Sequence, residues 1–169
     1  VNEGYIKERY TYEDVCQIVH LLRQPEGCPW DSAQTYESMK TCVSEEAGEV
    51  VAAIDAKDPI NLKEELGDLM LQVLMYAEIA AEKNDFTLED VVDELGKKLV
   101  RRHPAIFTQP ALNEQIEQLQ QQENTAENAL SLWKAVKKIE KREKLAAYEM
   151  AYKAGKISKE LLESKKNSL

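Results

Sequence analysis

Apolar residues recur at intervals of three and four along nearly the whole chain, and prolines, glycines and an Asn-Asp pair cut that pattern into separate stretches. No stretch alternates polar and apolar residues as a half-buried strand does. Short connections between amphipathic helices favour antiparallel neighbours, so the chain is expected to be all-α, an antiparallel bundle. Thr11 opens the first helix as N-cap, with Asp14 at the reciprocal position, and Val15, Ile18, Val19 and Leu22 form its inner stripe. Pro25, Gly27 and Pro29 end it in a loop through Trp30 and Asp31, where Asp31 can cap the next segment. A second helix is expected over 35–56, with Val43, Val50 and Ile54 on one side. Asp58-Pro59 turns the chain, and a third helix over 60–83 carries Leu62, Leu66, Leu69 and Val73 as its apolar side.

Asn84-Asp85 reads as a turn, and Thr87 with Asp90 starts a fourth helix that ends near His103-Pro104. Residues 108–125 are polar and glutamine-rich, a loop or a loosely anchored helix. A long helix follows over 125–154 and stops at Gly155, and Ser158 caps a short last one. The expected organisation is a helical core domain over 1–107, a polar connection over 108–124, and a long helix and tail over 125–169. That last part packs on the same domain or on a partner subunit. A bundle this small often buries leftover apolar surface in a second copy, so an oligomer is expected. Tyr76 and Phe107 read as core. Trp30 and Trp133 read either as core or as platforms for a base.

Lys plus Arg number 22 and Asp plus Glu 31, a net charge of −9. That sign argues against a nucleic-acid polymer or an anionic membrane surface as partner. It leaves room for a small anion carried by a metal ion. The three cysteines, Cys16, Cys28 and Cys42, have no metal-finger spacing and read as reduced thiols. With no basic-then-apolar leader at the N-terminus and no long apolar run, a cytoplasmic protein is expected. The six glycines never cluster, so a glycine-rich phosphate cradle is excluded.

The chemistry-bearing feature is a pair of acidic runs. The second helix carries Glu45-Glu46-Ala47-Gly48-Glu49 and the third Glu64-Glu65-Leu66-Gly67-Asp68. Residues three apart share a helix face, so Glu46 projects with Glu49, and Glu65 with Asp68. If the Asp58-Pro59 turn folds the two helices together, four carboxylates converge, and only a cation makes such a cluster tolerable away from water. Mg²⁺ suits the set, because it takes few carboxylates and shares its other positions with water and phosphates. The alternative is a solvated acidic face. Gly48 and Gly67 fit close helix approach or room for a phosphate. Two histidines, neither preceded by Glu at the third position, leave little for a zinc or di-iron site. Neither His20 nor His103 is taken as catalytic. Lys98 and Arg102, four apart near the end of the fourth helix, serve either the helix dipole or an anion. Trp133 and Lys137 make a similar pair.

These segments together resemble the MazG nucleoside triphosphate pyrophosphohydrolases. The resemblance runs through Leu22-Arg23-x-Pro25-Glu26-Gly27-Cys28-Pro29-Trp30-Asp31 with Gln34-Thr35, then Glu45-Glu46-x-x-Glu49 and, after fifteen intervening residues, Glu65-x-x-Asp68. It continues through Lys98-Leu99-Val100-Arg101-Arg102-His103-Pro104 and Trp133-x-x-x-Lys137, covering roughly residues 15–143. It implies an all-α fold with a four-helix core, assembled as a homodimer or dimer of dimers. It implies Mg²⁺-dependent hydrolysis, with Mn²⁺ as an alternative ion, of nucleoside triphosphates to monophosphates and pyrophosphate. By that resemblance Glu46, Glu49, Glu65 and Asp68 are metal ligands, and Glu45 positions water or supports a second ion. Lys98 and Arg102 bind phosphates, and Trp133 and Lys137 lie near the nucleotide, in the chain's own site or a partner's. A catalytically silent nucleotide- or metal-binding domain, regulatory or scaffolding, is the competing reading.

Overall fold

The computed structural model describes residues 3–107 and 110–168. The Val1-Asn2 start of the expected leaderless terminus and residues 108–109 of the polar connection lie outside them. Among the described residues every regular element is helical. The chain divides into two compact units, one ending at Asp93 and the other beginning at Glu94.

The first unit opens with a 3₁₀ turn at Glu3–Tyr5, followed by α1 (Tyr12–Leu22). A reciprocal box starts α1: the Asp14 amide donates to Thr11 Oγ1 at 3.2 Å, and the Thr11 amide to Asp14 Oδ2 at 2.9 Å. The segment after Pro25 is not loop throughout. Residues Pro29–Ser32 form a short helix, α2, because Pro29 at its first position presets the helical φ. Asp31 caps nothing; it lies inside α2, and its carbonyl accepts from Arg23 Nη1 at 2.5 Å.

Helix α3 spans Lys40–Ala56, starting later than the pattern predicts. Thr35 and Ser38 exchange side chain–amide bonds at 3.0 and 3.2 Å, which closes a turn before the helix proper. Lys57 in the left-handed region (φ 55°) ends α3, and Asp58 then caps α4 (Pro59–Glu82), accepting from the Ile60 and Asn61 amides at 3.0 and 3.1 Å. One tight reversal thus lays α4 back along α3. Helix α4 also packs on α1, and the core gathers Val19, Met39, Leu74, Met75 and Ile79. Tyr76 packs against this core, as expected.

The predicted inner side of α4 needs correcting. Leu66 and Val73 are about half exposed, whereas Glu65, Gln72, Met75 and Ile79 are buried. Helix α4 is apolar on more than one side, so periodicity alone did not select the stripe that meets α1 and α3. Ile54 on α3 is exposed as well.

Helix α5 (Leu88–Arg102) contains the unit boundary. The Thr87 and Asp90 side chains start it with the expected box. In the second unit Pro104 opens α6 (Pro104–Phe107), and Phe107, read as core, is half exposed. The glutamine-rich stretch contains α7 (Glu114–Gln120), capped by Asn113, whose Oδ1 accepts from the Ile116 amide at 2.9 Å. It is well anchored, since Ile116 is fully buried against Leu132 and Val136 of α8 (Ala126–Lys153). Thr125 caps α8, and Gly155 (φ 71°) follows its end in a conformation that favours glycine. Ser158 caps α9 (Lys159–Ser168), which seats Leu162 against the rest.

Candidate active site

The α3–α4 reversal brings three of the predicted carboxylates together. One oxygen each of Glu46, Glu49 and Glu65 lie within 4.8 Å of one another. Glu49 is exposed, Glu46 half-buried and Glu65 only 8% exposed. Burial pushes the Glu65 carboxyl above its usual range, a hydrogen bond with Glu49 adds to it, and the charges of Glu49, Asp68 and Glu64 follow. Glu46 is raised for the same reasons, burial first and then Asp68, Glu49 and Glu45. The leading influences on both carboxyls are burial and other carboxylates. Asp68 stands outside the trio but close enough for its charge to act on both, and Glu45 is exposed and acts on Glu46.

An uncompensated cluster of this kind fits a hard divalent cation with oxygen ligands. The two glycines give no support for close packing here. A Cβ on Gly48 or Gly67 would meet nothing within 4 Å, so both face open space.

The predicted basic and aromatic residues gather within the second unit. Lys98, Arg102 and Lys137 line a cavity of about 610 Å³ between α5 and α8, with Lys97, Arg101 and Lys144 among the other walls. Arg102 is held by Glu140, which accepts from Nε at 2.9 Å and from Nη2 at 2.7 Å. Arg101 pairs with Glu143 at 2.6 Å. Trp133 is half-buried, and both Arg102 and Lys137 lie over its ring, 5.0 and 4.8 Å from the centroid. Glu140 and Glu143 escaped the sequence reading, because only folding brings α8 to the end of α5.

Arg23 also escaped it. Its side chain is 2% exposed and holds the segment after α1 in place. Nε and Nη2 each donate to Glu82 at 2.7 Å, Nη1 to the Asp31 carbonyl and Nη2 to the Gln34 carbonyl. Glycine is required at position 27, where a Cβ would collide with the Leu21 and Leu22 carbonyls. The Gln34 side chain donates from Nε2 to the Trp30 carbonyl at 2.9 Å. This braced segment presents Trp30, 65% exposed. Neither histidine joins a cluster: His20 meets Glu78, and His103 meets the Leu99 carbonyl.

Residues 34–107 match the model of the MazG nucleotide pyrophosphohydrolase domain. Over 96 residues the chain is 50% identical to the nucleoside triphosphate pyrophosphohydrolase/pyrophosphatase MazG of Thermotoga maritima, a match covering 57% of this chain and 38% of that protein. It is 38% identical over 128 residues to the nucleoside triphosphate pyrophosphohydrolase of Escherichia coli K12, covering 75% of this chain and 44% of the other. It is 36% identical over 121 residues to the protein so named in Mycobacterium tuberculosis, covering 70% and 34%. The chain thus spans less than half the length of these curated relatives. No helix among the described residues is long and apolar enough to cross a membrane, and all three cysteines are free thiols.

Proposed function

Because residues 34–107 of this chain are a MazG nucleotide pyrophosphohydrolase domain, we propose that the chain hydrolyses nucleoside triphosphates to nucleoside monophosphate and pyrophosphate in the cytoplasm, with Mg²⁺ or Mn²⁺. One observation carries the reading: three carboxylates converge within 4.8 Å around the buried Glu65, and the main influences on its ionisation are burial and other carboxylates. Glu46, Glu49, Glu65 and Asp68 would hold the ion. When bound, it neutralises phosphate charge and stabilises the attacking and leaving oxygens of an in-line displacement.

The chain's own groups do the rest. Glu45, which is exposed, orients a water towards the α-phosphorus or supports a second ion. A bond forms from the water oxygen to that phosphorus, the bridge to the β-phosphate breaks, pyrophosphate leaves with the electron pair, and the proton lost by the water passes to solvent. Lys98 and Arg102 bind phosphate oxygens, Arg102 with its guanidinium fixed in advance by Glu140. Trp133 and Lys137 complete that cationic group.

We further propose a homodimer, or a pair of dimers, in which a second copy completes the four-helix core. The support is the unpartnered stripe on α4, where Leu66, Met70 and Val73 recur at helical spacing and stand 43–50% exposed. The 125–169 part then serves its own domain or the partner's.

The test is a pyrophosphate-release screen of the purified chain over canonical and modified triphosphates, with Mg²⁺, Mn²⁺ or a chelator. Metal-dependent release of equal amounts of pyrophosphate and monophosphate supports the reading. Triphosphate binding with no release on any substrate would leave the silent nucleotide-binding domain in its place.

A further inference from the structure

Among the described residues, one buried side-chain oxygen has no hydrogen-bond partner, Oε1 of Gln72. Gln72 is 6% exposed, and bulk water does not reach that oxygen. An empty buried acceptor is costly to a fold and asks for a cause.

Its place on α4 narrows the cause. Gln72 comes four residues after Asp68 and seven after Glu65. On a helix those intervals put the three on one side, about one and two turns apart. Helical side chains lean towards the preceding turn, so the Gln72 carboxamide is directed towards Asp68. Glu65 is buried on the same stripe, and Glu46 and Glu49 of α3 meet it there. In the other direction the stripe continues as Met75 and Ile79, which join Met39 in the apolar core. Tyr76, the polar residue of the next turn, is already engaged, its hydroxyl donating to the Tyr36 carbonyl at 3.2 Å. Gln72 is thus the last polar group between the acidic cluster and the core.

Whatever fills that oxygen must donate a hydrogen bond. Ionised carboxylates only accept, and the hydrogen bond that Glu65 makes is to Glu49. The donor therefore comes from outside the chain. A hard divalent cation among the carboxylates brings one, because Mg²⁺ keeps several of its waters and polarises them as donors. A carboxamide accepts such a bond without adding charge to a place where Glu46, Glu49, Glu65 and Asp68 already gather.

We propose that Gln72 is a positioning residue of the cation site, its carboxamide oxygen accepting a hydrogen bond from a water that the ion holds. The inference rests on the cation reading of the acidic cluster and extends it to a neutral residue one turn beyond Asp68.

The experiment follows Mn²⁺ binding to the nucleotide-free chain by electron paramagnetic resonance, with thermal melts in chelator, for the wild type, Gln72→Met and Gln72→Glu. Met keeps the shape and removes the acceptor. Glu keeps an acceptor and adds a charge. Gln72→Met is expected to bind Mn²⁺ roughly 10- to 100-fold more weakly, the usual effect of losing a partner of a metal's ligand shell. In chelator it should melt no lower than the wild type, because the unsatisfied group is gone. Gln72→Glu is expected to bind Mn²⁺ at least as tightly as the wild type and to melt lower in chelator, through added repulsion. An equal loss of Mn²⁺ affinity in both variants marks a packing role and overturns the proposal. So does an unchanged Mn²⁺ affinity in Gln72→Met. If that variant then loses affinity only for an α,β-methylene nucleoside triphosphate, the donor belongs to the substrate. A wild type that binds no Mn²⁺ sinks the cation reading and this inference together, whereas binding that Gln72→Met leaves intact sinks this inference alone.

Discussion

The acidic cluster of the first unit and the basic cleft of the second use the same device, a pair of helices with charged residues three and four apart, but they carry that charge differently. In the cleft, Glu140 and Glu143 stand against Arg102 and Arg101, and the Trp133 ring supports two cations. Its lining is rich in cations, but both arginines are paired with carboxylates and held in place from within the unit. In the acidic cluster, carboxylates face carboxylates, and Glu65 is buried with its ionisation disfavoured. One group is propped and the other is incomplete. An incomplete charge arrangement is costly to the fold alone, and it points to a component from outside the chain.

The largest expected effect attacks the incomplete side. Glu49→Ala should lower pyrophosphate release by on the order of 100-fold or more while far-ultraviolet circular dichroism stays nearly unchanged. Full activity in that variant would remove the ligand assignment. Next, Mg²⁺ at about 100 times its dissociation constant should stabilise the wild type by about 2.7 kcal/mol in thermal melts, and Glu49→Ala should lose most of that gain. A melt indifferent to Mg²⁺ would make the acidic residues a solvated face.

On the propped side, Arg102→Gln should raise KM for a triphosphate and also destabilise the fold by about 1–3 kcal/mol, because it strands the largely buried Glu140. Glu143→Gln breaks a pair in which Glu143 is half exposed, so it should cost less than about 1 kcal/mol. Equal losses in the two variants would mean that the cleft's ion pairs do not differ as their burial implies.

The smallest effect concerns pH. Hydrogen bonding to Arg23 holds the Glu82 carboxyl below its usual range. Its folded pKa is thus below the unfolded value near ~4.3, so in the window between them the unfolded chain binds more protons. The stability this pair supplies is complete above that unfolded value and is lost as pH falls through the folded one. Arg23→Gln should flatten this part of the stability–pH curve, and an unchanged curve would mean that the brace does not depend on charge.

Much of the fold was legible because its signals are local. Thr11, Thr87 and Ser158 announce helix starts through side chains that satisfy free amides one turn on, and each does so in the structure. The spacing of Glu46, Glu49 and Glu65 foretold a meeting because only one short reversal separates their helices. What could not be read depends on distant partners. Nothing near Ile116 shows that it will be sealed against α8, and nothing near Arg23 points to Glu82. Leu66 and Val73 look as inward as Met75 until α1 and α3 take their places.

The sequence by itself determined that this chain is helical, where its main reversals fall, and which carboxylates share a face, because those follow from periodicity and capping within a few residues. Tertiary structure alone decided which stripe of α4 is buried, that Glu65 would lie among like charges, and that one tryptophan is taken by cations while the other stays open. Those outcomes depend on which surfaces meet across long stretches of chain, and short-range spacing carries no record of that.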